Sequence, residues 1–127
     1  MSDPIVHFEL PADDLDRAQG FYAEVFGWEC RSMPGMGYVL VSTTPTDDQG
    51  MPRQPGAING GMLARQEPIT APVITVQVAS IDAAAQAIER KGGSVVRGRQ
   101  PVGDMGFSAY FKDTEGNLVG LWELAGS

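Results

Sequence analysis

Histidine and cysteine are nearly absent from this chain. His7 is the only histidine and Cys30 the only cysteine among 127 residues. A single cysteine excludes a disulfide within the chain, which favours the cytoplasm as its compartment. A zinc, iron or nickel site would have to rely on carboxylates, amides and water, because proteins usually hold these metals with several imidazoles or thiolates.

Long apolar runs and an excess of positive charge are also missing. No segment approaches the roughly 20 apolar residues that a membrane-spanning helix needs, and the first residues lack the basic start and apolar run of a signal peptide. The formal net charge is −7, which argues against nucleic acid and anionic membranes as partners, because both favour basic surfaces. The negative charge is interpreted as favouring solubility. A more specific interpretation is that it attracts a cationic ligand.

What the chain does contain is an internal repeat. Each half begins with a β-like run, residues 5–10 and residues 73–78, and a helical pattern follows each run closely. Three more β-like runs come after each helix, so the predicted order is βαβββ twice. These later runs cover residues 28–32, 38–43 and 57–64 in the first half, and 94–97, 108–112 and 118–124 in the second.

Both predicted helices carry start and stop signals. Asp13 or Asp14 could cap the first helix, and Gly27 would end it. Ser80 could cap the second, which would end at the glycine pair 92–93. The segments 44–56 and 98–106 are rich in glycine, proline and polar residues, and we expect long loops there, either binding loops or disordered connections.

Three sequence segments resemble a known family. The first runs from His7 to Ala18 and continues into Phe-Tyr at 21–22 and Phe-Gly-Trp at 26–28; the second is Asn-Gly-Gly-Met at 59–62. The third is the turn at 112–117, where Thr114 replaces the usual proline. In order and spacing the segments resemble the vicinal-oxygen-chelate superfamily (glyoxalases, bleomycin-resistance proteins and extradiol dioxygenases), in its glyoxalase-related branch.

This resemblance implies an α+β fold of two tandem βαβββ modules, whose curved mixed sheets face a cavity. We expect one glyoxalase-like domain over residues 1–127, with the first module at about 4–65 and the second at about 72–125. The resemblance also implies a homodimer, because modules in the family commonly pair across subunits.

The family's metal pattern is only partly present. Metal-using members place a ligand on the first and last strand of each module, and the matching positions here are His7, about Asn59, about Val73 and about Gly120. Only His7 is a usual ligand type, and two of the other three have no side-chain donor at all. We therefore expect neither a resident transition metal nor another cofactor.

Strand alternation predicts which side chains face the cavity. Residues two apart on a strand share a face, so a register with His7 inward also turns Glu9 inward and sends Phe8 and Leu10 under the helix. The same register applies to the second module. The predicted lining consists of two candidate catalytic residues, His7 and Glu9, and six candidate ligand-binding residues, Asn59, Gly61, Thr75, Gln77, Gly120 and Trp122.

Three classes of function fit this lining. The first is a metal-independent protein that binds a small organic molecule, as bleomycin-resistance proteins do. The second is a lyase, isomerase or dioxygenase-like enzyme, with or without a metal, in which His7 acts as base and Glu9 orients it. The third is a structural or regulatory protein with a vestigial cavity. His7 could equally be an ordinary hydrogen-bonded strand histidine, and the sequence does not name a ligand.

Overall fold

Ten elements follow one another along the chain in the order βαβββ, repeated twice. The structure is a computed structural model and describes residues 2–49 and 51–126. Within these residues no helix is both long and apolar enough to cross a membrane. The elements are β1 (Ile5–Ala12), α1 (Leu15–Phe26), β2 (Glu29–Met33), β3 (Tyr38–Ser42), β4 (Asn59–Ala64), β5 (Val73–Gln77), α2 (Ile81–Arg90), β6 (Ser94–Val102), β7 (Gly106–Lys112) and β8 (Leu118–Leu124).

The chain divides into two compact units with the same strand topology. One unit is His7–Pro72, and the other is the chain from Val73 onward together with the residues before His7. In the first unit the strand order is β2-β3-β4-β1, and in the second it is β6-β7-β8-β5. In each, the first and last strands of the module pair in parallel and the remaining neighbours pair antiparallel. The α+β fold of two βαβββ modules is therefore confirmed.

In the first unit, one face of the sheet packs against α1. Phe8 and Leu10 lie on this face, which confirms the predicted alternation along β1. Fully burying an apolar side chain such as that of Val41 or Met62 stabilises a fold by about 1.5–3 kcal/mol, so the helix-facing side holds the unit together. The buried core residues are Val39, Val41 and Met62, and the partly buried side chains around them are Phe8, Leu10, Leu15, Ala18, Tyr22, Trp28 and Cys30.

The second unit repeats this arrangement around α2. Its core is built on Ile81 from the helix and on Ala109 and Leu121 from β7 and β8. Val76 and Val78 pack against this core, so β5 turns the same alternate positions toward its helix as β1 does.

Both helices begin and end at the predicted signals. The Asp14 carboxylate accepts from the backbone N–H of Arg17, and the Ser80 hydroxyl accepts from that of Ala83. Gly27 ends α1 in the left-handed conformation, with φ of 73°, where a residue with a Cβ would be strained. Each helix end is therefore determined by neighbouring residues.

The prediction of a long loop at residues 98–106 is wrong. β6 continues to Val102 and β7 starts at Gly106, so most of this segment is a hairpin. Two register shifts, between Val95 and Arg97 and between Arg97 and Gln100, absorb the irregular residues. Pro101 is tolerated because β6 pairs only with β7 in its unit, and an edge strand can spare one N–H.

Candidate functional site

His7, Tyr38 and Glu9 form a chain of hydrogen bonds on the sheet face opposite α1. The Tyr38 hydroxyl donates to Oε2 of Glu9 at 2.8 Å, and its oxygen lies 2.8 Å from Nε2 of His7. Both His7 and Glu9 belong to β1, two residues apart, so their side chains leave the strand on the same side. The structure thus brings together the two candidate catalytic residues through a third residue that the sequence did not single out.

Gly61 makes room for the Tyr38 ring. Glu9 lies opposite Gly61 in the parallel β1–β4 ladder, and Tyr38 lies opposite Leu63 in the β3–β4 ladder. The Tyr38 side chain therefore crosses β4 above Gly61, where a Cβ would overlap its hydroxyl end. The space that the sequence reserved for a ligand at Gly61 is filled by Tyr38.

The chain of hydrogen bonds defines the state of the imidazole. A phenol has one hydrogen to donate, and Tyr38 gives it to Glu9, so Nε2 of His7 must carry the hydrogen that Tyr38 accepts. Burial lowers the pKa of His7 from its ordinary value of 6.5, while the charge of Glu9 raises it in part. Glu9 itself is only 7% exposed. Near neutral pH the site therefore presents an uncharged imidazole with its hydrogen on Nε2 and its basic lone pair on Nδ1.

Asn59 makes a hydrogen bond within the sheet of the first unit. It lies opposite His7 in the β1–β4 ladder, but its Oδ1 accepts from the backbone N–H of Thr43 at 2.8 Å. The Thr43 hydroxyl also donates to the carbonyl of Ile58 at 2.6 Å. Asn59 therefore fixes the end of β3 to β4, and it is not part of the His7 hydrogen-bond chain.

Four predicted ligand-binding residues lie together in the second unit. Thr75 pairs with Gly120 and Gln77 with Trp122 in the parallel β5–β8 ladder. Thr75 is 7% exposed, and its hydroxyl lies over Gly120, 2.7 Å from where a Cβ would be. The room expected at Gly120 is thus taken by Thr75.

Three further residues on this face were missed by sequence reasoning. Tyr110 pairs with Gly120 and Ser108 with Trp122 in the β7–β8 ladder, and the guanidinium of Arg97 lies 5.5 Å from the centre of the Tyr110 ring. The period of two along β7 would have identified Ser108 and Tyr110. Arg97 could not be placed in this way, because the register shifts of β6 break the period.

The four positions that match the family's metal ligands do not fit a metal. Nε2 of His7 is used by Tyr38, and Oδ1 of Asn59 is used by Thr43. Val73 is an apolar side chain 1% exposed, and Gly120 has no side chain. Within residues 2–49 and 51–126, no three histidine, cysteine or acidic side chains are grouped so that they could hold an ion.

A partly open cavity of about 210 Å³ lies on the other side of the first unit's sheet, toward α1. Its walls include Leu10, Ala18 and Tyr22, and Arg65 lies at its edge. The Arg65 guanidinium is held by the Asp13 carboxylate at 2.9 Å. The sequence did not predict this cavity, and it is separate from the His7 hydrogen-bond chain.

The chain is similar in sequence to a described family and to proteins of two mycobacteria. The family described as bleomycin resistance protein-like N-terminal matches residues 4–44. "Putative glyoxylase CFP32" of Mycobacterium bovis, and the protein of the same name from Mycobacterium tuberculosis, are each 30% identical over 120 residues, which is 91% of this chain. The chain spans 43% of the length of these two relatives.

Solved structures share the fold. The hypothetical protein BH1468 of Bacillus halodurans is 14% identical, with a TM-score of 0.67 over 100% of this chain and 98% of that one. A methylmalonyl-CoA epimerase of Streptomyces coelicolor is 21% identical, with a TM-score of 0.66 over 97% of this chain and 95% of that one. Taken with the repeated βαβββ topology, these likenesses show that the chain shares the fold of these structures.

Proposed function

We propose that this protein binds a small organic molecule at the sheet face that carries His7, Tyr38 and Glu9, without a resident metal. The observation that carries the proposal is the hydrogen-bond chain among these three residues. A buried carboxylate and an uncharged imidazole are costly to hold in place unless each is hydrogen-bonded. Fixed polar groups of this kind orient ligands in binding sites.

A protein of the same fold supports this proposal. The solved epimerase from Streptomyces coelicolor is a complex with 2-nitronate-propionyl-CoA, so this fold accommodates a small organic ligand. The second unit carries four further candidate ligand-binding residues on its own β5–β8 ladder, namely Thr75, Gln77, Gly120 and Trp122. In the first unit Gly61 contributes by leaving space for the Tyr38 ring, and Asn59 by fixing the end of β3 to β4.

A second candidate function is acid–base catalysis. The observation in its favour is that Tyr38 and Glu9 hold the imidazole with its hydrogen on Nε2, which leaves Nδ1 as a base. Because burial lowers the pKa of His7 below its ordinary value of 6.5, the imidazole is unprotonated near neutral pH and is able to accept a proton. In such an isomerase or lyase His7 would take the proton, and Glu9 would orient it through Tyr38.

The test uses the fact that His7 is the only histidine. Its ring resonances in a ¹⁵N-labelled protein are assigned without mutagenesis, and they report on any ligand that reaches the site. A panel of phenols, acyl thioesters and cationic compounds is titrated, and we expect at least one to shift these resonances and to raise the Tm. His7→Ala should lower the affinity for that ligand by about tenfold or more, because one hydrogen bond to a buried group is lost.

The control for this test is Glu24→Ala, on the exposed side of α1, which should leave the affinity unchanged. A ligand that binds His7→Ala as tightly as the wild type and leaves the His7 resonances in place would contradict the proposal. Turnover of the bound compound separates the two candidate functions, since a binding protein returns it unchanged. The homodimer and the cytoplasmic location remain predictions from the sequence.

A further inference from the structure

The Tyr38 hydroxyl has two partners that require opposite properties. Its oxygen accepts from Nε2 of His7, and its hydrogen goes to Oε2 of Glu9, both over 2.8 Å. Among common organic groups, only one that accepts and donates at the same atom can bridge these two partners, and a hydroxyl does so. A ketone, an ether or a carboxylate could accept from His7 but could not donate to Glu9.

The position of Tyr38 allows its side chain to rotate away from His7 and Glu9. It is the first residue of β3 and follows a turn in which Gly35 and Gly37 both have positive φ. The atoms that lie against Gly61 are at the far end of the ring, and the side chain is only half-buried. Rotation about its side-chain bonds would move the hydroxyl away while the backbone stays paired in the ladder with Leu63.

We propose that the Tyr38 hydroxyl occupies the position of a ligand hydroxyl. A phenolic or enolic hydroxyl of the ligand displaces it and forms the hydrogen bonds to His7 and Glu9. This inference rests on the proposed binding function and names the class of ligand. The bridge gives the site its selectivity, because a ligand without a hydroxyl leaves the buried Glu9 carboxylate without the donor that Tyr38 had provided. Sites built to hydrogen-bond a hydroxyl discriminate strongly against analogues that lack one.

The experiment replaces the side chain with a free molecule of the same chemistry. Tyr38→Ala leaves the volume of a phenol ring beside His7 and Glu9, and phenol, anisole and toluene are titrated into it by calorimetry. We expect one phenol per chain, bound about tenfold or more tightly than anisole, since anisole cannot donate to Glu9. Wild type should bind phenol more weakly than Tyr38→Ala, because phenol must displace Tyr38.

The matched control is the double variant Tyr38→Ala, Gly61→Ala. It lacks the same tyrosine ring, but the new methyl group takes up the space of the hydroxyl end of that ring, so phenol binding should be lost. Should Tyr38→Ala fail to fold, wild type provides the readout, because phenol and not anisole should shift the His7 ring resonances.

Two results would overturn the inference. One is equal affinity of Tyr38→Ala for phenol and anisole, and the other is phenol binding that survives in the double variant. A ligand without any hydroxyl that binds wild type and is lost in His7→Ala would overturn the inference but leave the proposed binding function intact. The proposed function fails separately if no compound in the panel disturbs His7.

Discussion

At the scale of single residues, the central feature is that one tyrosine determines the state of one histidine. The sequence predicted that His7 and Glu9 share a face, because strand alternation is a local property of β1. It did not predict Tyr38, which lies 31 residues from His7 and reaches it only because Gly61 on β4 is bare. A contact that depends on three strands and on an absent side chain cannot be deduced from any one segment.

The titration of His7 tests this arrangement. Burial lowers its pKa below 6.5, and the charge of Glu9 counteracts part of this effect. Glu9→Gln removes the charge but keeps a hydrogen-bond acceptor, so we expect the pKa of His7 to fall further. The pKa is read from the pH dependence of the His7 ring resonances, with Glu24→Ala as the matched change of a surface carboxylate.

The same pKa shift has a defined effect on stability. Because the folded-state pKa lies below the unfolded value, the unfolded chain binds more protons between the two pKa values. The stability associated with His7 is therefore present above about pH 6.5 and is lost as the pH falls toward the folded-state pKa. A His7 pKa above 6.5 in the folded protein, or one that rises in Glu9→Gln, would contradict the arrangement described here.

At the scale of secondary-structure elements, local signals were sufficient where neighbours decide the conformation. The Asp14 and Ser80 caps and the Gly27 stop involve residues within four positions of one another, so the sequence predicted both helices. The prediction of a loop at residues 98–106 was wrong because the strand conformation of β6 depends on its pairing with β7. Arg99 lies 3.5 Å above the Phe107 ring and 3.0 Å from the Glu123 carboxylate, and neither contact is visible within the segment 98–106.

Glu123 also links β8 to the start of α2. Its Oε1 accepts from the backbone N–H of Ile81 at 2.8 Å, one of the N–H groups that a helix leaves without an internal partner. The hydrogen bonds from Arg99 and Ile81 hold the pKa of Glu123 below its usual range. The observed register therefore keeps the Glu123 side chain on the α2 side of β8.

The cap of α2 gives a prediction at this scale. Ser80→Ala removes the hydroxyl that accepts from Ala83 at 3.1 Å, and loss of such a cap costs about 0.5–2 kcal/mol. The free energy of unfolding from urea titration measures this loss. Ser94→Ala, at the exposed start of β6, is the matched control and should change stability by less than about 0.5 kcal/mol. Equal effects of the two changes would mean that the Ser80 cap adds nothing.

At the scale of the whole molecule, the two units share a topology but not a chemistry. The sequence predicted the repeat because both halves carry the same order of patterns. The module boundaries given above remain a prediction. The family's metal chemistry could not be transferred with the fold, since only one of its four ligand positions has a usual donor.

The absence of a resident metal is therefore a prediction about the whole chain. Metal-stripped protein is titrated by calorimetry with Zn²⁺, Ni²⁺, Mn²⁺ and Fe²⁺, for wild type and for His7→Ala. We expect no single-site binding at micromolar affinity or tighter that depends on His7, because three of the four positions lack a usable donor. A tight site of one ion per chain that disappears in His7→Ala would show that backbone or water ligands complete a shell around this histidine.

In the described part of each unit, a buried polar residue lies opposite a glycine in the parallel ladder: Glu9 opposite Gly61, and Thr75 opposite Gly120. Duplication of one βαβββ segment would leave such a pair of equivalent positions. The two positions differ in chemistry, because a carboxyl group is ionisable and a threonine hydroxyl is not. The repeat is therefore symmetric in its backbone and asymmetric in its chemistry, with the ionisable group in the first unit and an uncharged hydroxyl at the equivalent position of the second.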